Sequence, residues 1–271
     1  MEYLLRDPPP LLRPYVRRLQ GYREFSSGPL RRRQAPVGSC TLILSFGPPL
    51  RLYGPAGPSV PRSFLAGLHD AAVLTEFRGD QHGMQVDLTP IGTFALLRRP
   101  GADVANSVPA LGALGDRALD ELPERLAAEP DWPARFAHLL GFLADRFLTE
   151  DVRLPDPEVV HAWRLLRRTA GGIGVAELAA ETGWSRRYLS ARFRSQVGLA
   201  PKTAARVLRF ERAAGLAVAG DPLGRIAAEC GFSDQAHLNR EFRALAGVTP
   251  TAYRRAFVQD AAVEPDVGSA P

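Results

Sequence analysis

The chain has 271 residues, 45% of them apolar, with 34 Lys+Arg against 29 Asp+Glu; this fits two domains with ordinary cores. No apolar run reaches the ~18 residues of a membrane span, and the polar, proline-rich start from Met1 to Arg13 lacks a signal-peptide core. Cys40 and Cys230, the two cysteines, fall in different predicted domains, which argues against a disulfide framework or a zinc site and points to the cytoplasm.

Pro and Gly are dense from Pro8 to Gly67. Short β-favouring apolar runs appear at Cys40 to Phe46, Leu50 to Tyr53, Ala71 to Phe77 and Met84 to Leu88. Turn formers separate them: Gly47-Pro48-Pro49, Gly54-Pro55, Gly57-Pro58 and Arg78-Gly79-Asp80. Many short strands so spaced predict a small β-barrel or sandwich within residues 1–152. From Thr89-Pro90 the pattern turns helical, with Ile91, Phe94, Ala95 and Leu97. A second helix is predicted from Pro133 to Phe147, burying Phe136, Leu139, Leu140 and Leu143. Leu154-Pro155-Asp156-Pro157 reads as a linker, and Val159 to Thr169 opens an all-α domain over 156–258. Residues 259–271 read as a disordered tail. The fold class is α+β.

The C-terminal domain contains a repeat. Glu177 to Ser185 reads Glu-Leu-Ala-Ala-Glu-Thr-Gly-Trp-Ser, and Arg225 to Ser233 reads Arg-Ile-Ala-Ala-Glu-Cys-Gly-Phe-Ser. Each copy continues into Leu-x-x-x-Phe-Arg (Leu189, Phe193, Arg194; Leu238, Phe242, Arg243) and closes with Gly-x-x-Pro. The second turn carries one extra residue. A short alanine-rich helix, a glycine that ends it, an aromatic plug and a capping Ser (Ser185, then Ser233 or Asp234) predict a helix-turn-helix unit. Pro201 starts a joining helix to about Ala219, and Asp221-Pro222 ends it.

On each second helix, one stripe is apolar and faces in: Leu189, Phe193 and Val197, then Leu238, Phe242 and Leu245. The other faces out: Arg187, Ser190, Ala191 and Arg194, then Ala236, Asn239, Arg240 and Arg243. Arg suits bidentate bonding to guanine, and Asn or Gln to adenine. Arg187, with Arg186 and Ser190, are therefore candidate base readers in the first unit, and Gln235, Asn239 and Arg240 in the second. Arg194 and Arg243, further along, are candidate phosphate contacts. Arg206, Arg209 and Arg212 on the joining helix either touch phosphate or solvate the helix. The alternative reading is an ordinary solvated face. Two stripes in register behind matching turns favour the DNA reading. From Gly172 to Val258 the net charge is +6, against +5 for the whole chain, so the positive balance sits in the repeat.

These residues resemble the AraC/XylS family of bacterial transcription regulators. The match covers Pro157 to Phe257 and is densest from Gly231 to Arg243, followed by Gly247-Val248-Thr249-Pro250 and Tyr253-Arg254. The resemblance implies seven helices forming two helix-turn-helix units that read an asymmetric duplex site. It maps base contacts onto Arg187, Ser190 and Ala191, and onto Gln235, Ala236, Asn239 and Arg240. An alanine at 191 or 236 can touch a thymine methyl but donates no hydrogen bond. The N-terminal half is similar to the cupin-like sensing and dimerisation domains of such regulators. Double-stranded DNA is the implied partner, with a small-molecule effector, RNA polymerase and a second copy as further candidates.

Other chemistry finds less support. His69, His82 and His138, with Glu76 and Asp87, lack the His-x-His spacing of a metal cupin, and no cofactor is expected. There is no Gly-x-Ser-x-Gly elbow and no phosphate-cradling loop. Arg31-Arg32-Arg33 could bind an acidic effector or DNA, or be solvated. Tyr22, Phe25, Tyr53, Phe64 and Phe77 could line an effector pocket or fill the core. The alternative function is an enzyme, a metal cupin or DNA-repair alkyl acceptor, carrying a DNA module. The expectation is a non-enzymatic regulator.

Overall fold

The computed structural model describes residues 2–54 and 57–261. Among these, seven strands form one sheet: β1 (Glu2–Arg6), β2 (Val16–Gln34), β3 (Cys40–Ser45), β4 (Arg51–Gly54), β5 (Gly57–Ser59), β6 (Phe64–Ala66) and β7 (Val73–Leu88). The pairing path is β1-β2-β7-β3-β6, with β4 on β7 and β5 on β4. The β-rich N-terminal domain is as expected, but the path has two ends and the barrel does not close.

One strand is longer than the sequence suggests, and another, β2, lies where the sequence suggests none. Arg78-Gly79-Asp80 is no turn. Gly79 takes φ +84 opposite an irregularity between Ser26 and Leu30, so a turn-forming glycine accommodates a bulge and β7 runs on. Likewise β2 passes through Gly28-Pro29 for 19 residues. Alternation sets the buried face: Cys40, Leu42 and Leu44 of β3, and Met84, Val86 and Leu88 of β7.

Four helices complete this half: α1 (Pro90–Leu97), α2 (Arg117–Asp120), α3 (Leu122–Ala127) and α4 (Trp132–Phe147). Thr89 caps α1 by accepting from Gly92 N–H at 2.9 Å. Phe136, Leu139, Leu143 and Phe147 of α4 join the sheet's apolar face in the buried core, and Phe147 stacks on Tyr15 at 4.7 Å.

The second half comprises α5 (Pro157–Arg168), α6 (Val175–Thr182), α7 (Arg186–Val197), α8 (Pro201–Ala219), α9 (Leu223–Glu229), α10 (Gln235–Ala246) and α11 (Pro250–Ala261). The joining helix α8 has the predicted bounds. Helix α11 takes in the first three residues of the expected tail, and residues 262–271 lie outside the described residues.

The halves meet at several places, two of which hold α7 and α8 directly. Gly101, in a 3-10 turn (Gly101–Asp103), lies against the end of α7; a Cβ there would stand 2.6 Å from the Gln196 carbonyl oxygen. Glu211 of α8 is the second place. It accepts from Gly38 N–H at 2.9 Å and pairs with Arg17 at 2.9 Å, with Arg167 at 3.9 Å.

Candidate nucleic-acid interface

The two units share a turn. Helix α6 ends with Gly183 at φ +69, where Gly183 N–H bonds Ala180 O and Trp184 N–H bonds Ala179 O. After α9, Gly231 at φ +70 and Phe232 repeat this on Ala228 O and Ala227 O. Only glycine enters this left-handed region without strain.

The extra residue is the cap. Ser185 Oγ accepts from Tyr188 N–H at 3.2 Å, whereas in the second unit Asp234, not Ser233, accepts from His237 N–H at 2.6 Å. That hydrogen bond comes first among the causes holding the Asp234 carboxyl below the usual carboxylate range. Ser233 Oγ instead lies 3.2 Å from His237 Nδ1. Counting from the caps aligns Arg186 with Gln235, Arg187 with Ala236, Ser190 with Asn239, Ala191 with Arg240 and Arg194 with Arg243.

Burial divides each helix as expected. Leu189, Phe193 and Val197, then Leu238, Phe242 and Leu245, are buried. Arg186, Arg187, Ala191 and Arg194 are exposed and Ser190 is half-buried; Gln235, Ala236, Arg240 and Arg243 are exposed and Asn239 is half-buried. Phe193 lies beside Trp163 of α5 at 6.4 Å, while Phe242 packs edge-on against Phe210 of α8 at 4.8 Å.

Each second helix is also clamped by an ion pair joining residues 35 or 36 apart. Arg192 of α7 grips Asp156 through two hydrogen bonds, 2.7 and 2.9 Å, and Asp156 N–H donates to the buried Gln196. The Arg192 guanidinium holds the Asp156 carboxyl below its ordinary value. In the second unit Glu241 of α10 accepts from Arg206 of α8 at 2.5 Å. Arg206 is thus engaged within the protein. Arg209 places its guanidinium 6.0 Å from the Phe232 ring, and its Nε is buried without a partner.

Sequence reading passed over Tyr188. It is 52% exposed beside Arg187 and rests edge-on against Trp184 at 4.8 Å. It lies off the outward stripe, so periodicity did not mark it. The clamps escaped notice because no local pattern pairs Arg192 with Asp156.

The N-terminal candidates do not converge. Arg31 pairs with Glu76, Arg32 with Glu24, and Arg18 with Asp87. Arg33 approaches Gly247 at the end of α10, a favourable place for a cation. His138 meets Glu129 at 2.8 Å, and His69 is buried. Among the described residues, no group of three or more His, Cys, Asp or Glu could hold a metal. Phe64 and Phe77 are core, Tyr22 is half-buried, and Phe25 and Tyr53 are exposed. Burial pushes the Cys40 thiol up to about 12 and raises that of Cys230, opposite to an activated nucleophile. No described helix is long and apolar enough to cross a membrane.

Residues 178–256 match a family model described as a helix-turn-helix domain. The probable transcriptional regulator LumQ of Photobacterium leiognathi is 36% identical over 83 residues, 30% of this chain. The match spans 34% of that relative, about a third of its length. ToxT from Vibrio cholerae is similar over 94% of this chain and 99% of its own, with a TM-score of 0.50 and 10% identity. ToxT bound to (E)-4-(8-methylnaphthalen-1-yl)but-3-enoic acid gives the same score and coverage at 11% identity. At such identity the likeness concerns fold alone. Residues 178–256 thus form a helix-turn-helix domain, and the chain has the two-part fold of a sheet-bearing N-terminal half and a helical C-terminal half.

Proposed function

We propose that this chain is a sequence-specific transcription regulator, organised as a sensing domain over 1–152 and a DNA-binding domain over 156–258, that grips one duplex with α7 and α10. The observation that carries the reading is the duplicated turn: two capped helices, each with its apolar stripe buried and its Arg- or amide-bearing stripe exposed, both packed on α8. A recognition helix shows its N-terminal residues to the major groove. Arg186, Arg187, Ser190 and Ala191 then read bases in one groove segment, and Gln235, Ala236, Asn239 and Arg240 in the next. Arg194, Arg243 and Arg209 bind phosphate, while Arg206 orients α10 through Glu241.

An effector-responsive N-terminal half, association with RNA polymerase and self-association complete the proposal. A saturating effector at 100 times its Kd adds about 2.7 kcal/mol to stability, which a thermal-shift screen reads directly.

Selection of bound sequences from a random duplex pool tests the core claim. On the selected site, Arg187→Ala should cost ~1–3 kcal/mol and relax preference at one base, whereas Arg243→Ala should weaken all sequences alike and lower the salt slope. An unenriched pool, or equal loss of specificity from both changes, refutes the assignment.

A further inference from the structure

Beside each exposed stripe stands an aromatic residue to which base reading gives no task. Tyr188 and His237 are each the third residue after their helix cap, Ser185 and Asp234. Each rests edge-on against the aromatic residue of its own turn: Tyr188 on Trp184 at 4.8 Å and 71°, His237 on Phe232 at 5.4 Å and 87°. The prop holds the ring, and in both units it leaves one hydrogen-bond donor over. Tyr188 is 52% exposed, and its hydroxyl bonds no group among the described residues. His237 is half-buried, and Ser233 N–H donates to its Nδ1 at 3.3 Å. A backbone amide nitrogen only donates, so Nδ1 is the acceptor and the neutral ring carries its proton on Nε2. Among the described residues Nε2–H has no partner. Packing on the turn needs only a ring, which phenylalanine would supply; the hydroxyl and the Nε2–H are surplus to it.

One residue advances about 100° round a helix. Tyr188 therefore stands on the flank of the stripe that Arg187 begins, and His237 on the same flank of the stripe that Ala236 begins. A helix with its side chains is about 10–12 Å across, and the major groove is about 12 Å wide. A helix seated there puts the middle of its exposed stripe against base edges and its flanks against the sugar-phosphate walls.

We propose that Tyr188 and His237 are a matched pair of uncharged phosphate contacts, one per unit, that set the register of α7 and α10 in the groove without reading sequence. This rests on α7 and α10 being the recognition helices. A phosphate oxygen accepts from the Tyr188 hydroxyl in unit one and from His237 Nε2–H in unit two. Phosphate contacts position a protein on the duplex and carry no sequence information. Uncharged donors also neutralise no phosphate, so unlike Arg194 and Arg243 they add nothing to the salt dependence.

Binding of the full chain to a duplex selected from a random pool, at about pH 8 where ordinary imidazole is neutral, tests this over a salt series. Tyr188→Phe keeps the ring on Trp184 and removes the hydroxyl. His237→Asn keeps an acceptor for Ser233 N–H and removes the Nε2 donor. Each should raise Kd roughly 10-fold on the selected site and by the same factor on single-base variants of it. The salt slope should not change. Replacing one backbone phosphate at a time by uncharged methylphosphonate should find a position for each unit at which the unaltered chain loses far more affinity than the matching variant. Variants that bind as tightly as the unaltered chain overturn the proposal. So does a loss confined to one base pair, a lowered salt slope, or a duplex without such phosphate positions. A pool that yields no site defeats the regulator reading itself, whereas a selected site that both variants bind unimpaired defeats only this pair of contacts.

Discussion

The two helix-turn-helix units share a sequence pattern and a turn, yet they are braced from different sides. Unit two is held within its own domain: Phe242 packs on Phe210 and Tyr253, and Glu241 is tied to Arg206 of α8. Unit one leans outward. Helix α7 contacts α1 and the Gly101 turn of the N-terminal half, and Arg192 holds Asp156 in the linker. A duplicated motif thus gives one unit whose placement depends on the sheet-bearing half and one whose placement depends far less on it. An effector acting on the N-terminal half would reach unit one first.

The largest expected effect comes from the cores. Phe193→Ala and Phe242→Ala should each lose about 3–5 kcal/mol in chemical denaturation. Hydrogen exchange separates them. Phe193→Ala should expose the amides around Gly101 and Val197, and Phe242→Ala should leave them protected. Equal exposure from both would erase the distinction between the braces.

A smaller effect sharpens the comparison at the contact itself. Gly101→Val forces a side chain toward the Gln196 carbonyl and should cost about 1–3 kcal/mol. Footprinting should then show protection by unit one weakened and protection by unit two kept. Uniform loss along the whole site would mean that the turn at Gly101 does not position α7.

The smallest effect is electrostatic. Asp156 has a depressed folded-state pKa, so its contribution is complete above the ordinary carboxylate pKa and disappears as pH falls through the lowered one. Acid titration should therefore release the start of α5 from α7 at the foot of that window, followed through the Arg192 side-chain resonances. Asp156→Asn should remove that pH dependence. An unchanged titration would assign the sensitivity to other carboxylates.

Much of this arrangement is legible in the sequence, for local reasons. Glycines at 183 and 231, caps at 185 and 234, and stripes of period 3.6 act within a few residues, so the helices and their exposed faces follow directly. The extended sheet does not. Gly28-Pro29 and Arg78-Gly79-Asp80 carry strong turn signals, but they face each other across a bulge, and only the pairing of β2 with β7 turns them into strand. The braces were hidden for the same reason: Glu211 meets Gly38 across 173 residues, a separation no local pattern spans.

Glu211 also has a mechanical meaning. Helix α8 is the beam on which both α7 and α10 pack, and the Glu211 carboxylate bolts it to the loop at Gly38 and to Arg17. Any slide of the sheet along that beam strips donors from a half-buried charge. Load applied at the sheet therefore reaches α8 at Glu211, alongside the direct route into α7 through the Gly101 turn.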